Sequence, residues 1–280
     1  MPPMTPKHNY DYEVDLSSDS AAAHVIRMVG HQKKVLEVGA GPGSITKHLK
    51  NTNQCTVTAI EYDESALPYL EKYCSRVHRL DLNQPGWISA LQDQAPFDVV
   101  IAADVLEHLY SPLSTLGQMR VLTNPDGYIV VSLPHISHAG VFATMLNENF
   151  NYGDWGLLDK THIRFFGLAN IQALFEKAEL KIVAAQFVIR PPELTEFADC
   201  WAKTPKYIKE FLLRHPEGNI YQVVVKAKHR DSPGEMLDLF HSTPLQLRHT
   251  NPFQHLYYLI KNYFPKPLRS KIRNLLKNWQ

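Results

Sequence analysis

From Lys34 onward, short apolar runs alternate with amphipathic stretches. Val35-Leu36-Glu37-Val38, Thr56-Val57-Thr58-Ala59-Ile60, Phe97-Asp98-Val99-Val100-Ile101-Ala102 and Tyr128-Ile129-Val130-Val131-Ser132-Leu133 are rich in β-branched residues and short enough to be buried parallel strands. Helical stretches near 44–51, 65–74, 84–93 and 112–122 separate them. A helix from about Ser18 to Val29 precedes the first strand. Its Ala21, Ala22, Val25, Ile26 and Val29 share one face, and Ser17-Ser18-Asp19 supplies capping candidates. Strand and helix in alternation imply crossover units and a doubly wound α/β sheet.

The stretch 134–165 breaks this rhythm. It carries three histidines, several aromatic residues and Gly140, Gly153 and Gly156, and it reads as a lid or substrate insertion. A helix near 168–178 and strands near 180–189 and 219–228 resume the pattern, with Pro191-Pro192 and a helix-rich segment at 193–214 between those strands. From Leu239 to the end there are seven Lys or Arg and no acid, interleaved with Phe253, Tyr257, Tyr258, Tyr263, Phe264 and Trp279. The expected organisation is an N-terminal segment 1–17, a catalytic domain 18–230 and a basic, aromatic, helical appendage 231–280.

Composition narrows the class. The 29 Lys and Arg against 28 Asp and Glu exclude the basic excess of a general nucleic-acid binder. No apolar run reaches the roughly 18 residues of a membrane span, and the N-terminus lacks a secretory layout. Three scattered cysteines, Cys55, Cys74 and Cys200, indicate neither a disulfide framework nor a zinc site. The expectation is a cytoplasmic protein of a reducing compartment.

The sharpest chemical signal is Glu37-Val38-Gly39-Ala40-Gly41-Pro42-Gly43-Ser44, after the first strand and opening a helix. Glycines at such a turn let the backbone approach a ligand, and dinucleotide sites use the same device. The spacing is Glu-x-Gly-x-Gly-x-Gly, however, and Ser44 stands where a dinucleotide fingerprint has its third glycine. An acid beside the turn repels a pyrophosphate and suits an ammonium or sulfonium group.

Residues 34–133 resemble the class I S-adenosylmethionine-dependent methyltransferases. The resemblance implies a seven-stranded Rossmann-like sheet, S-adenosylmethionine as cofactor and S-adenosylhomocysteine as product. Glu37, Gly39, Ala40, Gly41 and Gly43 match the first motif, which holds the methionine part. Glu61, with Tyr62 beside it, matches the acid that bonds both ribose hydroxyls, a task suited to a carboxylate. Asp81 and Leu82 match the position that recognises the adenine amino group. Ala103-Asp104-Val105-Leu106-Glu107-His108 resembles the fourth motif beside the reacting methyl, which assigns Ala103, Asp104 and His108 to the cofactor.

Leu158-Asp159-Lys160-Thr161-His162-Ile163-Arg164-Phe165-Phe166 resembles a segment of a methyltransferase subgroup associated with polysaccharide and glycosylation pathways. Ser132-Leu133-Pro134-His135-Ile136-Ser137-His138 resembles its preceding turn, with His135 in place of the usual Asn. An alcohol acceptor must lose a proton, and histidine near its natural pKa is the common acceptor of it. His162 is therefore the first candidate base. Asp159 is the candidate to orient its imidazole, Arg164 the candidate for an anionic part of the acceptor, and His138, His135 and His108 are the further histidines. No metal site is indicated, a contact through Asp104 being left open, and Tyr10 and Tyr12 are candidates to close over the cofactor.

The expected reaction is methyl transfer to an oxygen of a small-molecule or sugar acceptor; nitrogen and carbon acceptors stay open. A nicotinamide-dependent oxidoreductase is the rival enzyme, disfavoured by Glu37, and a non-catalytic interaction subunit acting through its tail is the rival outside enzymology. The appendage has three readings: packing on the core or a second copy of the chain, docking on a partner protein, or lying on an anionic membrane surface.

Overall fold

The computed structural model describes residues 11–243; Tyr10 and the appendage beyond residue 243 lie outside the described residues. Contacts between Cα positions divide the described chain into two compact units, 11–136 with 152–189 and 220–243, and 137–151 with 190–219.

The first unit holds one seven-stranded sheet. Its strands are β1 (Lys34–Val38), β2 (Thr56–Glu61), β3 (Arg76–Arg79), β4 (Phe97–Ala103), β5 (Thr123–Pro134), β6 (Leu180–Ile189) and β7 (Ile220–His229), in the order β3-β2-β1-β4-β5-β7-β6. β1 to β5 are parallel, and β7 runs antiparallel between β5 and β6. The expected α/β class and Rossmann-like seven-stranded sheet are thus what the chain adopts. Val35, Leu36 and Val38 of β1 and Val99 to Ala102 of β4 are wholly buried, which is why these strands read as unbroken apolar runs. Strand order reverses between β1 and β4, and in doubly wound sheets the crevice beyond the carboxyl ends at that point is where ligands sit.

The helices of this unit are α1 (Ala21–Val29), α2 (Thr46–Asn51), α3 (Leu67–Leu70), α4 (Pro112–Leu122) and, later in the chain, α6 (Leu168–Lys177). The cap of α1 is Ser20, whose hydroxyl accepts from Ala23 N at 3.2 Å; Ser18 instead donates to Asp15 O, so the expected capping cluster is one residue short of the true cap. The amphipathic stretch at 84–93 forms a 3-10 turn, Trp87–Leu91. Residues 231–243 also belong to this unit. Leu237 N donates to Ile182 O, Leu239 N donates to Gln172 Oε1, and the Leu239 side chain is buried.

The second unit is helical, built from α5 (Ala139–Leu146), α7 (Ala198–Lys203) and α8 (Lys206–Leu213), with Ala139, Ala143, Cys200, Trp201 and Leu212 packed together. The insertion expected at 134–165 is therefore divided: 137–151 goes with the helical unit, and 152–165 with the sheet. Among the described residues no helix is long and apolar enough to cross a membrane.

Candidate active site

The carboxyl ends of the parallel strands open into a cavity of about 920 Å³, lined wholly by residues of the sheet unit. That volume lies toward the upper end of the roughly 300–1,000 Å³ found for small-molecule sites.

The turn after β1 forms its floor. Gly39 and Ala40 donate their amides to Ile60 O, which pulls the chain across the end of β2. Gly39 has φ +67°, and a Cβ there would lie 2.6 Å from Val105 Cγ2; only glycine permits this crossing. At Gly41, φ +55°, a Cβ would meet no protein atom within 4 Å, so the backbone there faces open cavity. Glu37, at the end of β1, is buried and accepts from Thr46 Oγ1 at 2.7 Å. Burial raises its pKa to about 7; the nearby Glu61 charge adds to the rise and the Thr46 bond opposes it.

Glu61 is held by three backbone amides: Gly41 N to Oε2 and Tyr62 N and Asp63 N to Oε1, each 2.7 Å. These bonds fix its carboxylate at the rim, where each oxygen keeps further acceptor capacity. Asp81 accepts from Asn83 N at 2.9 Å and lines the same wall as Leu82. Asp104 follows β4 at φ +54°, a left-handed conformation that Asp tolerates better than most residues, and its Oδ1 accepts from Ser132 Oγ and Gln222 Nε2, both at 2.9 Å. Burial raises the Asp104 pKa against those two bonds. Tyr12 also lines the cavity, its N–H donating to Ser44 Oγ; burial first, then the charges of Asp104 and Glu37, push its hydroxyl above the usual phenolic range.

The far wall joins the turn after β4 to the segment after Tyr152. Glu107 O accepts from both Ile163 N and Arg164 N, at 2.9 and 3.0 Å, and these two bonds draw His162 against His108. The two imidazoles meet edge to face with centroids 4.8 Å apart. His162 Nδ1 donates to Leu157 O at 3.1 Å, which leaves the lone pair on Nε2. His108 Nδ1 donates to Thr161 Oγ1 at 3.0 Å, and Thr161 Oγ1 in turn donates to Asp159 Oδ1 at 2.6 Å. Beneath the rings, the Glu107 side chain is fully buried, and neither carboxylate oxygen has a hydrogen-bond partner. Burial, with the Asp104 and Asp159 charges adding, raises the Glu107 pKa well above the ordinary carboxylate range. Burial, with the His108 charge adding, lowers that of His162. For Asp159 burial acts upward, but the two Thr161 bonds outweigh it and the net shift is down.

A family model described as a methyltransferase domain matches residues 18–185. The chain belongs to this methyltransferase family. Its relatives include the ubiquinone biosynthesis O-methyltransferase of Azotobacter vinelandii, 31% identical over 114 residues, which are 38% of this chain and 46% of that protein. A highly reducing polyketide synthase of Alternaria alternata is 27% identical over 126 residues, 40% of this chain but 5% of the synthase. The chain thus spans less than half the length of these relatives. Among solved structures, a SAM-dependent methyltransferase from Archaeoglobus fulgidus shares the fold at TM-score 0.52 and 16% identity, over 74% of this chain and 92% of that one. Magnesium protoporphyrin IX methyltransferase of Synechocystis PCC 6803, with SAH bound, gives TM-score 0.52 at 13% identity, over 78% and 90%.

The cofactor of the methyltransferase is S-adenosylmethionine, and the donor set fits it. An open glycine backbone, a buried acid at the turn and two rim carboxylates face one cavity, and among the described residues that line it there is no Lys or Arg. Of the residues singled out in the sequence, Glu37, Gly39, Ala40, Gly41, Glu61, Tyr62, Asp81, Leu82, Ala103, Asp104, His108, Asp159 and His162 line the cavity together. Five expectations need correction. Gly43 faces away from it, toward Leu70 and Tyr73. Asp159 fixes Thr161, and the His162 imidazole is oriented by the Leu157 carbonyl. Arg164 donates to Tyr110 O at 2.7 Å, so its guanidinium ties the segment to the turn after β4. His138 is buried in the helical unit, where Nδ1 accepts from Gly140 N to cap α5 and Nε2 donates to Arg190 O, so neither nitrogen offers a lone pair to an acceptor. His135 is likewise buried, donating from Nδ1 to Ile220 O. The residue passed over is Glu107, an acid between the apolar Val105, Leu106 and Leu109 and next to a histidine; a lone charge in such a run is the signal that marks it.

Two expected results follow from this geometry. His138→Ala removes two buried hydrogen bonds and a helix cap, so it should destabilise the fold by about 1–3 kcal/mol in denaturant unfolding and leave turnover nearly unchanged. Glu37 has its folded pKa raised from 4.5 to about 7, so its contribution to stability is full below 4.5 and lost as pH rises through 7. The ligand-free protein should therefore lose stability relative to Glu37→Gln across that window, by up to about 3 kcal/mol, when both are unfolded in parallel. A wild type that tracks the variant at every pH contradicts the burial of an ionisable Glu37.

Proposed function

We propose that this methyltransferase acts on a hydroxyl oxygen of a small-molecule or sugar acceptor, activated at the Glu107–His108–His162 wall. The observation that carries the reading is His162 itself: its Nδ1–H is committed to Leu157 O, so its Nε2 lone pair stands on the cavity wall. An alcohol or phenol needs such a proton acceptor, whereas a neutral amine does not. Several relatives carry O-methyltransferase in their names, among them those of Azotobacter vinelandii and Halalkalibacterium halodurans, and the segment 158–166 resembles the glycan-associated subgroup, which favours a hydroxylated acceptor.

When bound, S-adenosylmethionine supplies a methyl on a sulfonium, whose C–S electron pair returns to sulfur as the C–O bond forms. The chain contributes binding, alignment and proton removal. Glu37 offers a negative charge to the methionine end, the Gly41 turn lets backbone approach, Glu61 accepts from the ribose hydroxyls, and Asp81 accepts from the adenine amino group. Tyr12 closes the side near Asp104. His162 Nε2 takes the acceptor proton as the oxygen pair is donated, and its lowered pKa keeps it neutral and competent above pH 6.5.

The test is a labelled-methyl screen of glycan, lipid and small-metabolite fractions. Label on an oxygen, with rate rising with pH through a value below 6.5, is the expected result. Label on nitrogen or carbon, or a rate flat across that range, overturns the oxygen assignment.

A further inference from the structure

The Glu107–His108–His162 cluster has features that proton transfer alone does not require. One oxygen of Glu107 and one ring nitrogen from each histidine lie within 4.8 Å of one another. Both Nδ1–H groups are committed to oxygen acceptors, Leu157 O and Thr161 Oγ1, which leaves a lone pair on each Nε2, and Thr161 is itself anchored by Asp159. Metal-ligating histidines are oriented in this way: the outer N–H is bonded to a carbonyl or a carboxylate relay, and the inner nitrogen presents its lone pair. A second, independent observation comes from the acid. Glu107 is 0% exposed, and both its carboxylate oxygens lack a hydrogen-bond partner. A buried carboxylate left without partners is costly, and a cation is the group that satisfies it.

We infer that Glu107, His108 and His162 form a binding site for a divalent transition-metal ion on the acceptor wall of the cavity. Two nitrogens and one carboxylate oxygen favour zinc, iron(II), cobalt or manganese over magnesium or calcium, which take oxygen donors. With bonds near 2.1 Å in a tetrahedral arrangement, neighbouring donors stand roughly 3.4 Å apart, so the most widely spaced donors close by up to about 1.4 Å on loading. The pair His162 Nε2 to Glu107 Oε1, at 3.9 Å, needs only about half an ångström of that movement. Three protein donors leave positions for an acceptor oxygen and water. In the loaded protein the histidine nitrogens are ligands, and the acceptor hydroxyl, bound to the ion, releases its proton to solvent. The ion then performs the task that His162 Nε2 performs alone in the metal-free chain. This role rests on the hydroxyl reading above; the existence of the site does not.

The test uses the full chain, stripped with chelator and titrated with cobalt(II), with no acceptor present. One equivalent should bind and give visible ligand-field absorption, and zinc should displace it. Glu107→Gln should weaken binding by about 100-fold or more, while S-adenosylhomocysteine still binds both proteins by calorimetry. If circular dichroism shows that Glu107→Gln is unfolded, His108→Ala, a half-buried side chain, replaces it with the same expectation. No stoichiometric cobalt uptake, or equal affinity in the variant, overturns the site. Loss of S-adenosylhomocysteine binding in the wild type with cobalt binding intact condemns the cofactor reading and leaves the metal site standing.

Discussion

Replacing His162 by alanine is expected to lower methyl-transfer turnover by about 10²- to 10⁴-fold, the usual contribution of a positioned proton acceptor, with little change in the dissociation constant for S-adenosylhomocysteine. The ring is placed by contacts that do not involve the cofactor turn: Leu157 O fixes its tautomer, and the two amide bonds to Glu107 O fix its backbone. Its loss therefore strips the acceptor wall and leaves the floor of the cavity intact. The same direction holds with a metal ion in the cluster, because His162 is then a ligand. The distinguishing readout is the split between turnover and binding. A variant that keeps wild-type turnover, or one that loses cofactor affinity in proportion to rate, removes His162 from the acceptor wall.

Glu61→Ala is expected to weaken cofactor binding by about 100-fold, close to 2.7 kcal/mol. Two effects combine. The ribose loses a charged acceptor, and hydrogen bonds to charged groups are worth roughly 1.5–3 kcal/mol. The amides of Gly41, Tyr62 and Asp63 also lose the carboxylate that holds them, so the glycine turn is no longer preorganised. Glu61→Gln keeps the size of the side chain but exchanges one acceptor oxygen for a donor, and it should fall between the two. Calorimetry with S-adenosylhomocysteine measures all three proteins; equal affinities contradict the role of Glu61.

The contrast between His162 and His138 shows where sequence reasoning reaches and where it stops. Both lie in the stretch after β5, both are largely or wholly buried, and both match a recognisable segment. Their roles diverge through tertiary contacts that spacing does not encode. His138 meets Arg190 O, some fifty positions away, while Ile163 and Arg164 meet Glu107 O over a similar interval. The strands were legible because apolar β-branched runs need both faces covered, and β1, β4 and β5 are covered. The cofactor floor was legible because each residue sits at a strand end, so order along the chain gives position in space. β3, with only Val77 and His78 partly buried, carries little hydrophobic pattern and is not among the strands that the apolar runs mark. The division of 134–165 between two units was not legible, since its glycines and aromatics mark loops without saying which core they join. Glu107 is marked in the sequence as an acid among apolar neighbours, but its full burial is a property of the fold and is visible only where Asp104, His108 and His162 close around it.

A sulfonium cofactor is expected on the acid-flanked glycine turn of the cavity beyond β1 and β4. Parallel calorimetric titrations of the full chain with S-adenosylhomocysteine and with a nicotinamide dinucleotide test it directly. One equivalent of S-adenosylhomocysteine should bind, with affinity lost in Glu61→Ala, and the dinucleotide should give no heat. Binding of the dinucleotide, or no uptake of S-adenosylhomocysteine by the folded protein, would contradict it.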